Sequence, residues 1–453
     1  MAESTNTIQK EIQDREAKEK RELRRKRRRR NQILAILTLL LFVCLIVAII
    51  GTGVWYIMHR GAGKTAGGGA ATTEETTIDN LFESEDEIVK PEETNTEPAL
   101  TPEQQLDAIL DEAFISQMPL EDKVAGLFIV TPESITGVNK AVKAGDGTKD
   151  ALNKYAVGGI VYASQNMQDA AQFTEMVSNT TLYSRYALFT CVAEEGGSST
   201  SLEKAGLADK TDSEQAMGTG ADAAKAYEAS GKIADSMLTY GLNLNFAPVA
   251  DLATVQDSYL KDASYGSDAA LAASFVTSAV QGMQEKGISS CLKYFPGAAD
   301  MKEDPAKGMA SSERTAEQLA AEEFTVFKAG IDAGADMVMV GHVAVPALTG
   351  DNTPCSLSSA VITDKLRNEL GFNGVIITDA MNKGAITEYY EADEAAILAL
   401  KAGCDMILCP DDFEKAYNGV LEAVQNGTIS EERINDSLRR IYRIKYASMM
   451  PEE

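Results

Sequence analysis

The chain has 453 residues, 44% of them hydrophobic, and a formal net charge of −26. That length holds one large domain or two ordinary ones, and the apolar share is enough for a sizeable core. Within residues 1–32, twelve Lys/Arg face six Asp/Glu, a balance of +6, so the remainder carries −32. An acidic body argues against nucleic acid and anionic surfaces as partners of the main domain. The six cysteines form no C-x-x-C pair, and five lie outside the apolar run that holds Cys44. An odd number there argues against a complete disulfide framework, and Cys191, Cys291, Cys404 and Cys409 read as buried thiols.

Residues 33–58, ILAILTLLLFVCLIVAIIGTGVWYIM, carry no charge. At about 1.5 Å per residue, such a run crosses a hydrocarbon core about 30 Å thick. Trp55 and Tyr56 sit at one end, as amphipathic rings do at a membrane interface, and RRKRRRR (24–30) precedes the run. The expectation is a basic cytoplasmic segment (1–32), one transmembrane helix (33–58) and an extracytoplasmic body. A cleaved signal peptide fits less well, because its apolar region is shorter and a small-residue cleavage site follows it. GAGKT (61–65) is not a phosphate-binding loop, since Met58 stands where the first glycine belongs and GGGAATTEETT follows instead of a helix. Residues 59–103 read as a flexible acidic linker rich in Gly, Thr and Glu.

From residue 104 the pattern becomes apolar strands separated by amphipathic helical stretches. The strands are expected at 124–130, 158–162, 187–193, 242–250, 290–295, 337–342, 374–380 and 404–410. Short continuous apolar runs suit strands buried on both faces. Helices are expected over 223–240 and 315–333. AGADMVM (333–339) and AGCDMIL (402–408) repeat one unit of helix stop, glycine and strand. Eight such units predict an α/β fold, a (β/α)8 TIM-type barrel over 104–453, ahead of an open doubly wound sheet.

Function in such a barrel collects at the carboxyl ends of the strands. Glu194, Glu195 and Asp251 fall there, with Lys293 in the fifth strand and Asp300, Glu303 and Asp304 in the loop beyond it. His342 ends the sixth strand and Asp379 the seventh. Only His59 and His342 are histidines, so no metal centre is expected, and no motif calls for a cofactor. Several carboxylates around one rim suit glycoside chemistry, which needs a nucleophile or base and a proton donor.

These residues bring the chain to a resemblance. MPLEDKVAGLFIV (118–130), CVAEEGG (191–197), NLNFAPVADL (243–252), ASYGSD (263–268), VMVGHVAVPAL (338–348) and LRNELGFNGVIITDAMNKGAI (366–386) resemble glycoside hydrolase family 3. The likeness is to the amino-terminal barrel of its bacterial β-N-acetylhexosaminidase branch, and INDSLRRIYRIKY (434–446) is similar to its closing helix. The resemblance implies Asp379 as the nucleophile, where helix capping is the plainer role of an aspartate. It implies Lys293 as a ligand of sugar hydroxyls and leaves His342 as a rim residue near substrate.

The departures are as telling. The family reads Lys-His-Phe-Pro-Gly-His-Gly after the fifth strand; here the histidines are Tyr294 and Ala298. The proton-donating Asp-X-His pair falls on Asp304-Pro305-Ala306, and sugar-gripping Asp and Arg positions fall on Ala193, Ser198 and Ala263. Losing a general acid typically costs about 10²–10⁴-fold in rate. A second domain supplies a glutamate in some relatives, but this sequence stops at the barrel's last helix. The expectation is therefore a membrane-tethered barrel that has lost most catalysis and binds cell-envelope glycan or acts as a scaffold. The alternative is an active retaining exo-glycosidase acting on amino sugars, with Asp304, Glu303 or Glu195 as acid/base.

Overall fold

The computed structural model describes residues 109–110, 114–297 and 301–447. The segments 1–32, 33–58 and 59–103, together with Ala298 and Asp300, lie outside the described residues. Among the described residues no helix is long and apolar enough to cross a membrane.

Eight strands close into a barrel in chain order. They are β1 (Phe128–Val130), β2 (Gly159–Val161), β3 (Phe189–Val192), β4 (Leu244–Asn245), β5 (Ser289–Phe295), β6 (Met337–Val340), β7 (Val375–Ala380) and β8 (Met406–Leu408). Every neighbouring pair is parallel, and β1 closes on β8 through Phe128↔Ile407 and Ile129↔Leu408. Their side chains are almost wholly buried, as expected of strands that face the barrel interior on one side and helices on the other.

The strands are shorter than the apolar runs that announced them. Val124 and Ala125 belong to a helix, α1 (Leu120–Ala125), rather than to β1. An apolar residue in a core-facing helix has the same signature as one in a strand. The run 242–250 gives only two residues of regular strand, because Pro248 has no N–H for the ladder. Hydrogen bonds to β5 still cross this stretch: the Pro248 carbonyl accepts from Lys293 N–H at 3.2 Å, and Ala250 N–H donates to the Lys293 carbonyl. Residues 223–240 hold α2 (Ala224–Thr239), close to the expected bounds. Residues 315–333 divide at Glu322 into α3 (Ala316–Ala321) and α4 (Glu323–Asp332). The repeated glycines behave as expected. Gly334 and Gly403 take φ of +95° and +119° where a helix hands over to β6 and β8.

The closing helix α5 (Glu431–Tyr446) is locked to the barrel through Asp405, which is fully buried just before β8. Its carboxylate accepts from Ile376 N–H (2.9 Å), Arg367 (2.7 Å), Ser437 (2.8 Å) and Arg440 (3.1 Å). Cys191, Cys291, Cys355 and Cys404 are buried and unbridged, and Cys409 is half-buried and unbridged. Burial pushes the Cys191, Cys291, Cys355 and Cys404 thiols far up and Cys409 up to about 12. They are packing groups.

Candidate active site

At the carboxyl ends of β5, β6 and β7 the chain leaves a cavity of about 90 Å³. Asp379 and Asp304 both line it. Asp379 sits next to last in β7, and its Oδ1 accepts from the Ala380 N–H at 2.7 Å. It does not cap a helix: the next one runs Gly384–Thr387, and Lys383 is its N-cap residue. Asp304 leads a short turn of helix, Pro305–Lys307, and its Oδ1 accepts from Ala306 N–H at 2.9 Å. Both carboxylates keep oxygen lone pairs that these local bonds leave unused.

Two backbones pressed together hold the loops bearing these carboxylates. A Cβ on Gly384 would stand 2.7 Å from the Gly308 nitrogen and 2.8 Å from the Lys307 carbonyl carbon. Only glycine permits that approach, and it sets the Asp304 loop against the turn that follows Asp379.

The other sequence candidates fall in different places. His342 lines the cavity, but both ring nitrogens bond to protein: Nδ1 to Ser356 Oγ (2.7 Å) and Nε2 to the Ala380 carbonyl oxygen (3.1 Å). A carbonyl only accepts, so Nε2 carries the proton and Nδ1 receives the serine hydroxyl. Burial holds the ring's pKa below its usual value, although the Asp379 charge pulls it back up. Lys293 and Glu195 form a buried ion pair that does not line the cavity, although the ammonium lies 5.4 Å from the ring centroid of Tyr294 on its wall. Glu303 is exposed. Asp251 is buried beneath the Gly297 turn, where a Cβ on the glycine would come 3.4 Å from its Oδ1. Glu194 is buried and accepts from Ser201 and Leu202 N–H at 2.6 and 2.7 Å, outside the cavity. Of the three acid/base candidates, only Asp304 shares the pocket with Asp379.

Four further groups went unnoticed in the sequence as site components. Tyr294 and Tyr259 put half-buried phenols on the cavity wall, and Lys383 adds an ammonium. Burial, with the charge of Asp379 on one ring and of Asp251 on the other, raises both phenols far above their usual range, so they are hydrogen-bonding groups and not acids. Tyr294 follows Lys293 in the strand and was legible as a replaced histidine. Tyr259 lies in a stretch with no motif, and Lys383 was visible only as a residue four beyond Asp379. Glu214 is the fourth. It is buried and accepts from Val249 N–H at 3.1 and 3.2 Å. Burial, then repulsion from Glu195, pushes its pKa well up. Among the described residues no group of His, Cys, Asp and Glu could hold a metal ion.

A closed eightfold parallel barrel with two carboxylates in one rim pocket is the architecture of a glycosidase-type barrel. Comparison with known proteins makes the assignment specific. The family profile "Glycosyl hydrolase family 3 N terminal domain" matches residues 119–444, and the chain belongs to that family. It is 30% identical over 284 residues to a beta-hexosaminidase of Stenotrophomonas maltophilia, covering 60% of this chain and 82% of that one. It is 32% identical over 270 residues to a beta-hexosaminidase of Xanthomonas campestris pv. campestris, covering 57% and 79%. Among solved structures, a glycoside hydrolase family 3 beta-N-acetylglucosaminidase from Paenibacillus sp. superposes with a TM-score of 0.69 at 32% identity. That match spans 74% of this chain and 64% of the Paenibacillus chain.

Proposed function

We propose that this chain is a membrane-anchored, extracytoplasmic member of the family that binds amino-sugar glycan of the cell envelope and turns it over poorly. The observation that carries the reading is Ala306. It lines the same cavity as Asp379, two residues beyond Asp304, and puts a methyl group where the hexosaminidase branch is expected to carry its proton-donating histidine. A sugar entering the pocket meets Asp379 for attack at the anomeric carbon, but an unactivated leaving oxygen finds no histidine beside Asp304 to protonate it, and the Nε2–H of His342 is held by the Ala380 carbonyl oxygen. The phenols of Tyr259 and Tyr294 and the ammonium of Lys383 serve as hydrogen-bond donors to hydroxyls.

A second reading is favoured by Asp304 itself, the one acid/base candidate in the cavity. A protonated Asp304 would pass its proton to the glycosidic oxygen as Asp379 bonds to the anomeric carbon. It would then take a proton from the water that displaces Asp379, in retaining chemistry. The basic cluster at 24–30 and the uncharged run 33–58 support the reading of an anchor with the barrel on the outer side.

The test uses the full chain in detergent, with Asp379→Asn and Asp304→Asn. The proposal expects binding of N-acetylglucosamine, slow Asp379-dependent release of nitrophenol from an activated β-N-acetylglucosaminide, and almost no cleavage of chitobiose. Efficient chitobiose hydrolysis that Asp304→Asn abolishes establishes the second reading instead. No sugar binding and no nitrophenol release would refute both. Resistance of the chain to alkaline extraction from membranes, with protease access to the barrel from outside, checks the anchor.

A further inference from the structure

A second cavity lies on the flank of the barrel, between the segment following β3 and helix α2. It measures about 240 Å³, larger than the rim pocket and below the roughly 300–1,000 Å³ of sites for drug-sized ligands. Its lining joins apolar Leu202 and Ile233 to Glu194, Thr200, Lys210 and Lys232.

Thr200 makes this more than a surface dent. The residue is 5% exposed, and its Oγ1 is buried with no hydrogen-bond partner among the described residues. A desolvated hydroxyl without a partner costs on the order of 1–3 kcal/mol, so such a group in a cavity wall is a bond waiting for an occupant. Glu194 is the second built feature. Its Oε1 receives both the Ser201 and Leu202 N–H groups while burial raises the carboxyl to about 7. Beside these, Lys210 and Lys232 have no ion-pair partner among the described residues. The rim also carries Asp209, Glu203 and Asp235, and Asp235 is engaged by Lys286 at 3.0 Å.

Both signs of charge thus face one small space with an apolar side. A neutral polyol would leave the lysines and the carboxyl unspent, and a simple anion would be repelled by Glu194 and the rim acids. We infer that this flank cavity binds a small zwitterion of amino-acid or dipeptide size. Its ammonium meets Glu194 and the rim carboxylates, its carboxylate meets Lys210 and Lys232, and one of its polar atoms bonds the Thr200 hydroxyl. The site is separate from the rim pocket and does not depend on how that pocket acts on sugars.

The test is ligand-observed NMR and calorimetry on the full chain in detergent. The probes are glycine, D-alanine, L-alanine and alanyl-alanine, with acetate, methylammonium and N-acetylglucosamine as controls. Saturable binding of at least one zwitterion is expected, about tenfold tighter than either half-charged control. Thr200→Val should weaken it several-fold while leaving the melting temperature equal or higher, since it removes the unpartnered hydroxyl. Thr200→Ser should restore it, and Lys232→Gln should weaken carboxylate-bearing probes only. A cavity that holds water alone, with no zwitterion binding at millimolar concentration, overturns the inference. So does binding that Thr200→Val leaves unchanged, or a site that prefers N-acetylglucosamine and loses it in Thr200→Val.

Discussion

The Nε2–H of His342 donates to the carbonyl oxygen of Ala380 at 3.1 Å, so the imidazole grips the backbone one residue beyond Asp379. Ser356, 2.7 Å from Nδ1, completes the arrangement and fixes the ring. His342 therefore acts on the candidate nucleophile through the main chain. Its substitution should misplace Asp379 as well as leave buried polar groups unpaired.

His342→Ala is expected to cost about 1–3 kcal/mol of stability, from the orphaned Ser356 hydroxyl and Ala380 carbonyl. Asp379-dependent release from an activated glycoside should fall with it. The folded-state pKa of His342 is depressed, so its contribution is present above about 6.5 and is lost as pH falls through the lower folded value. Denaturant midpoints of wild type and His342→Ala, followed from pH 7 to 5, should converge on acidification. Parallel curves would show that the ring carries no such linkage.

Gly384→Ala tests the contact between the two carboxylate-bearing loops. The added methyl meets backbone at 2.7 Å, and neither side is a flexible side chain. A loss of about 1–3 kcal/mol is expected, as for other overpacked sites, with weakened sugar binding at the rim pocket. Stability loss with unaltered sugar affinity would show that the contact does not position Asp304.

Asp405→Asn should be the most damaging of these changes. The carboxylate is fully buried and serves Arg367, Arg440, Ser437 and the Ile376 amide. Removing the charge leaves guanidinium groups without their counter-ion, at about 3–5 kcal/mol. The urea midpoint should drop accordingly, and protease should release the closing helix α5 early. A shift under 1 kcal/mol would mean the arginines find water at little cost.

Glu194 titrates in the opposite sense to His342. Its folded pKa is raised to about 7, so its contribution is full below about 4.5 and lost as pH rises toward 7. Glu194→Gln keeps an oxygen for the two amides and removes the charge. The variant should gain on wild type by on the order of 1–3 kcal/mol between pH 4.5 and 7. A pH-independent difference would place the carboxyl in contact with water after all.

The barrel was legible in the sequence because its cause is local and repeated. Each strand is an apolar run such as MVMV, and each helix stop before β6 and β8 is a glycine that alone tolerates positive φ. Eight such units in chain order fit a parallel sheet buried on both faces, for which a closed barrel was expected ahead of an open doubly wound sheet. The candidate residues Asp379, Asp304 and Lys293 were legible for the same reason: they lie in strands or in the loops that follow them. Strand lengths were not, since Val124 and Pro248 look apolar whether they lie in a strand, a helix or a bend.

Which candidates share a pocket was a matter for tertiary structure alone. Glu195 and Lys293 pair with each other, Glu303 is exposed, and Asp304 shares a pocket with Asp379 where Gly384 lets the loop at Lys307 and Gly308 come close. Tyr259 joins them from another segment and Lys383 from the turn after Asp379, and Thr200 Oγ1 is left without a partner among the described residues where α2 and the segment after β3 enclose it. Periodicity and turn chemistry act over a few residues, so sequence can specify elements and their order. Burial, pairing and proton affinity are set by neighbours tens to hundreds of residues away, so the site comes into being only when the barrel closes.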